Sequence, residues 1–121
     1  MIAALGLTLP ATAAAAPLPG NAISGVSAVC QPDGMFRVTV GFSHRGPVEV
    51  RVYDVIGGVR TDSDHAWYYQ KGGATFQGLL WGGGGKKVTI ETHLLTKGPH
   101  HTLVDVVTPT STNAGSCVAA S

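Results

Sequence analysis

Residues 36–52 read Phe-Arg-Val-Thr-Val-Gly-Phe-Ser-His-Arg-Gly-Pro-Val-Glu-Val-Arg-Val, and their alternation decides the fold class. Successive side chains of an extended chain point to opposite sides. Phe36, Val38, Val40 and Phe42 therefore share one face, and Arg37, Thr39 and Gly41 take the other. After the turn-forming residues His44-Arg45-Gly46-Pro47, the valines at 48, 50 and 52 alternate with Glu49, Arg51 and Tyr53. Period two over runs of this length marks half-buried strands. The two runs read as a hairpin.

The pattern continues outward. Val88, Ile90, Thr92 and Leu94 repeat it, and Leu103 to Val107 follows a further Gly-Pro turn. Shorter candidates are Ile23 to Val29, His65 to Gln70 and Thr75 to Leu80. No window keeps apolar residues at helical spacing, and only the first 16 residues are rich in Ala and Leu. Seven short strands separated by turn residues describe an antiparallel β-sandwich of immunoglobulin/fibronectin-like architecture, with a small closed β-barrel as the alternative. The resemblance is architectural. Antibody-type cysteines sit on two central strands around a Trp, whereas here Cys30 precedes the second strand and Cys117 follows the last. Residues 17–121 read as one domain, with Thr108 to Ser116 as an extended tail and Gly82 to Gly85 as a mobile connection before Lys86-Lys87.

Residues 2–16 form an apolar stretch that closes in small side chains, the pattern of a signal peptide. Ala11/Ala13 and Ala13/Ala15 both supply the small pair that cleavage needs. No Lys or Arg precedes the run, and the first basic residue is Arg37, so residues 1–16 read as a leader truncated at its start or preceded by an upstream start. Pro10 interrupts it, and a membrane span needs roughly 18 unbroken apolar residues. The expectation is a bacterial-type secreted protein of the extracellular space or cell envelope. Oxidising surroundings would join the two cysteines, Cys30 and Cys117, in one disulfide. A bridge closing so long a loop is worth about 4 kcal/mol in the chain-entropy model.

Charged residues make up 12% of the chain and the net charge is +1. A nucleic-acid footprint or a polybasic membrane segment needs a stronger basic bias. In a sandwich of this topology the second–third, fourth–fifth and sixth–seventh connections cluster at one end. That end collects His44, Arg45, Lys71, Lys97, His100 and His101 and no carboxylate, while Asp33, Asp54, Asp62 and Asp64 gather at the other. Histidines titrate near pH 6.5 when unperturbed, so the basic end would gain charge in mild acid and suit an anionic partner. His100 and His101 are adjacent and point apart on an extended chain, leaving too few ligands for a structural zinc site, which takes four. Asp62-Ser63-Asp64 lacks the glycine and distal Glu of a helical calcium loop and reads as a solvated turn. No metal and no cofactor is expected.

The second candidate surface is aromatic: Trp67 and Tyr69, with Tyr53. Two uses compete for such rings. Exposed, they stack on the flat apolar face of a sugar; buried, they fill a small core, which is the commoner fate of Trp67 and Trp81. Nucleophile-elbow, zinc-protease and phosphate-loop motifs are absent, and a Ser43/His101/Asp105 triad has nothing to single it out. The reading is a monomeric, non-catalytic binding module for a protein or glycan partner. The alternative is a secreted inhibitor of an extracellular hydrolase that presents Ile56 to Asp64.

Overall fold

A computed structural model describes residues 20–120; the leader-like segment 1–16 and the three residues after it lie outside them. The described chain is an all-β antiparallel sandwich of eight strands: β1 (Ala22–Cys30), β2 (Met35–His44), β3 (Val48–Ile56), β4 (Val59–Tyr68), β5 (Gly72–Trp81), β6 (Val88–Lys97), β7 (Leu103–Asp105) and β8 (Thr110–Gly115). One sheet has the order β1-β2-β5, and the other β4-β3-β6 with β7 and β8 both paired to β6. The interior is formed by the apolar alternation itself: Phe36, Val38, Val40 and Phe42 face Val48, Val50, Val52, Ile90 and Leu94, all buried.

β2 and β3 do not form the expected hairpin. β2 pairs with β1 and β5, and β3 with β4 and β6, so the turn at residues 45–47 steps from one sheet to the other. The physical reason lies in the apolar faces. Sandwiched sheets lie about 10 Å apart, and the two runs bury most surface by facing each other across that gap. Local anchors hold the crossing. Nδ1 of His44 lies 2.8 Å from the Gly46 carbonyl, and the Arg45 amide donates to Asn21 Oδ1 at 3.0 Å.

Three further expectations are corrected. The segment Ile56 to Asp64, expected to be presented as a loop, is a two-residue Gly57-Gly58 turn followed at once by β4, with Ile56 opposite Val59. Both glycines have positive φ, which suits a tight hairpin reversal. The tail at 108–116 supplies β8, which pairs with β6 over Val88–Thr92. The glycine run is a built turn at Gly83–Gly85 in place of a mobile link: a Cβ on Gly82 would lie 2.0 Å from the Gly34 carbonyl oxygen.

Each sandwich has two open seams, and both are closed here. Cys30 at the end of β1 and Cys117 beyond β8 form the disulfide, with Cα atoms 5.4 Å apart. On the opposite seam, β4 lends two carboxylates to the edge of β5. Asp62 Oδ2 accepts the Trp81 amide at 2.8 Å, and Asp64 Oδ2 accepts the Leu79 amide at 3.0 Å. The segment read as a solvated turn is thus a strand whose inward acids satisfy a neighbour's edge donors. Asp54, opposite Asp62 in register, is 0% exposed, and neither of its oxygens has a partner among the described residues. Burial, with the nearby Asp62 charge, pushes its carboxyl up from 3.8 to about 7.

Candidate functional site

The register fixes which turns meet. Gly72 lies opposite His44, Tyr68 opposite Val48, and Leu95 opposite Glu49. The connections 45–47, 69–71 and 98–102 therefore share one end of the sandwich, and they bring His44, Arg45, Lys71, Lys97, His100 and His101 to it. Among the described residues, Arg45, Lys71 and Lys97 form no ion pair with a carboxylate.

Trp67 and Tyr69 reach the same end. Trp67 stands on the outer face of β4 and Tyr69 follows the strand, 69% exposed. Their rings are nearly parallel, with centroids 6.3 Å apart and planes at 20°. Lys97 Nζ sits 5.9 Å from the Trp67 ring centroid, within cation–π reach. Pro47, Trp67, Tyr69, Thr96 and Lys97 together line a groove of about 410 Å³. Thr96 Oγ1 donates to the Pro47 carbonyl at 3.1 Å, fixing that bank of the groove to its floor.

The groove does not stop at Tyr69. A second concavity of about 490 Å³ uses Trp67 and Tyr69 again and adds His44, Gln70 and Lys71. A third of about 440 Å³ shares His44 and Lys71 and adds Arg45. The two candidate surfaces read separately in the sequence thus adjoin at one end as three concavities with shared lining residues, and among the described residues no Asp or Glu lines any of the three. His44 is a buried floor residue, with its ring centroid 5.5 Å from that of Phe42 and 6.4 Å from that of Tyr68.

His100 and His101 lie at this end but line none of the three grooves. Their backbone is not extended as expected: φ is 59° and 61°, the left-handed region that side chains with a Cβ avoid. Closure of the turn holds them there, since the Gly98 amide donates to the Thr102 carbonyl at 2.7 Å and Thr102 Oγ1 donates to the Pro99 carbonyl at 2.7 Å.

Tyr53 does not join the aromatic pair. It lies four positions further along β3 from Glu49, the residue opposite Trp67, or roughly 13 Å at strand rise. Arg60 covers its ring at 4.1 Å, and the His93 ring meets its edge at 5.5 Å. That cluster is matched internally. Arg60 grips Glu91 through two hydrogen bonds of 3.1 and 2.9 Å, which holds the Glu91 carboxyl below its usual range. His93 faces Glu91 Oε2 at 2.8 Å and Asp105 Oδ1 at 2.7 Å. Glu49, 2% exposed, is likewise paired with Arg51 at 3.0 Å. Asp105 is thus committed to His93, and Ser43 belongs to the other sheet, so the paper triad does not assemble.

Neither tryptophan is a core residue. Trp81, 44% exposed, lies at the disulfide end beside Met35 and Val118. The acidic opposite end also needs correction: Asp54 is inside, Asp62 and Asp64 are hydrogen-bonded to β5, and Lys86-Lys87 follow the glycine turn at that end. Among the described residues, no three His, Cys, Asp or Glu side chains are grouped to hold a metal ion, and no helix is long and apolar enough to cross a membrane. No protein-family model matches this sequence, and no curated protein or solved structure is significantly similar to it.

Proposed function

We propose that the protein is an exported, non-catalytic binding module of immunoglobulin-like build, working in the extracellular space or cell envelope and meeting its partner through the turn end. One observation carries this reading. The basic and aromatic residues line three adjoining concavities, together a cleft that no Asp or Glu of the described residues lines. Elsewhere the outer-face charges near Tyr53, His93 and Glu49 are paired with one another. A cleft whose cations have no internal counter-charge is available to an outside one. The leader-like sequence and the disulfide support export, since such bonds persist in oxidising compartments.

The second reading, a hydrolase inhibitor, loses support. Its presumed reactive segment, Ile56 to Asp64, is held in paired strands on both sides of a two-residue turn and offers no extended loop to a protease cleft.

Site-directed photocrosslinking in the native culture tests the module. A photoreactive residue replacing Gln70 in the cleft should give a covalent adduct in the extracellular fraction. The same group replacing Gln77, exposed on the outer face of β5, should give none. Adducts from position 77 alone, or from neither position, would overturn the reading. Stoichiometric inhibition in a panel of secreted hydrolases would move the assignment to the inhibitor.

A further inference from the structure

We infer that the cleft is a site for an acidic polysaccharide, with a pyranose ring stacked on Tyr69, which Trp67 backs, and anionic groups held on either side by Lys97 and by Lys71 with Arg45. The inference rests on the binding-module reading and deepens it by naming the ligand class.

Three features select this chemistry. The first is the ring pair. Tyr69, 69% exposed, stacks near-parallel on Trp67 with centroids 6.3 Å apart, so that Trp67 backs an open Tyr69 face. The axial C–H groups of a sugar present a flat apolar face to such a ring while its hydroxyls stay in water. The second is the order of charges. Lys97 borders the platform on the Pro47 side, and Lys71 and Arg45 border it on the side shared with His44. This cation–aromatic–cation sequence suits a chain that carries its acid groups beyond a stacked ring. The third is shape. Three concavities of about 410, 490 and 440 Å³ adjoin through shared lining residues, a succession of subsites that suits an extended ligand.

Other polymers fit less well. Protein interfaces are depleted in Lys at their cores, and two of the three cations here are Lys. Single-stranded nucleic acid also combines stacking with cations, but it follows a strongly positive groove with a phosphate at every nucleotide. This chain has a net charge of +1 and three cations along the cleft.

Titration calorimetry with defined probes tests the inference: hyaluronan and chondroitin sulfate oligosaccharides, a neutral dextran of matched length, polyglutamate and oligo(dT). At least one of the two acidic saccharides should bind, weakening as salt rises, while dextran, polyglutamate and oligo(dT) bind at least tenfold more weakly. Carboxylate alone suffices if hyaluronan binds, whereas binding of chondroitin sulfate only assigns the anion as sulfate. Trp67→Ala should lower affinity roughly tenfold, and Lys97→Gln and Lys71→Gln about threefold to tenfold each. Trp81→Ala, at the far end, should leave affinity unchanged. Should Trp67→Ala fail to fold, the two Lys→Gln variants decide the matter.

Equal binding of dextran, or equal binding of polyglutamate or oligo(dT), would overturn the inference, as would unchanged affinity in the Trp67 and Lys variants. Failure of both acidic saccharides while position 70 still crosslinks to a protein would sink the glycan and leave the module standing. Failure of both experiments would remove the module as well.

Discussion

The two seams of this sandwich do the same task with different chemistry. Between β1 and β8 the sheets are joined by a covalent bond, Cys30 to Cys117. Between β4 and β5 they are joined by two carboxyl side chains, Asp62 and Asp64, that accept edge amides of Trp81 and Leu79. The first join answers to redox conditions. The second answers to pH, because Asp54 lies buried opposite Asp62 with no hydrogen-bond partner among the described residues. The comparison teaches that one small domain can be weakened by two independent environmental variables, each acting on its own side.

Replacing both cysteines by Ser should have the largest effect, a loss of about 4 kcal/mol from denaturant unfolding, since the lost bond closes a long loop. A loss under 1 kcal/mol would mean that the β1/β8 seam is held by packing alone. Asp64→Ala should destabilise by roughly 0.5–1.5 kcal/mol, the usual net contribution of one solvent-accessible hydrogen bond. Asp62→Ala should be milder, because it also removes the charge that disfavours ionised Asp54. Equal effects would deny that repulsion.

The pH response has a definite sign. The folded Asp54 carboxyl is pushed up to about 7 from 3.8, so between these values the folded state holds the proton that the unfolded chain has released. Stability is then fully present below pH ~4 and falls as pH rises through the window, by at most ~1.4 kcal/mol per unit. Asp54→Asn should flatten that slope in unfolding curves taken from pH 4 to 8. Glu91, whose carboxyl Arg60 holds low, acts in the opposite direction and only below the usual carboxylate range. The smallest effect concerns the turn end: His100→Gly should stabilise by roughly 1 kcal/mol by relieving left-handed strain.

The fold class was legible in Phe36 to Val52 because alternation specifies which side of a strand is buried. It does not specify the partner strand. The same valines satisfy a hairpin or a crossing between sheets, and only the whole set of buried faces decides. The disulfide was legible because cysteines are chemically distinctive. Asp62 and Asp64 were misread because an inward carboxylate on an edge strand looks, in sequence, like a polar turn. A signal was present in Gly57-Gly58, the residue pair of a two-residue hairpin turn. The basic end was legible from turn order. Its merger with Trp67 and Tyr69 was not, because β4 begins ten residues before Tyr69 and its length sets where those rings emerge. Thr108 to Ser116, rich in Thr and Ser, read as a tail because its pairing with β6 is a long-range event.

The sulfur link joins residues 87 positions apart. A protease that cut any one exposed turn inside that interval would leave both fragments tethered, and the clipped molecule would migrate as a single species until a reductant was added. Wherever a peptidase reaches the protein, that tether converts a single cleavage from dissociation into a scar.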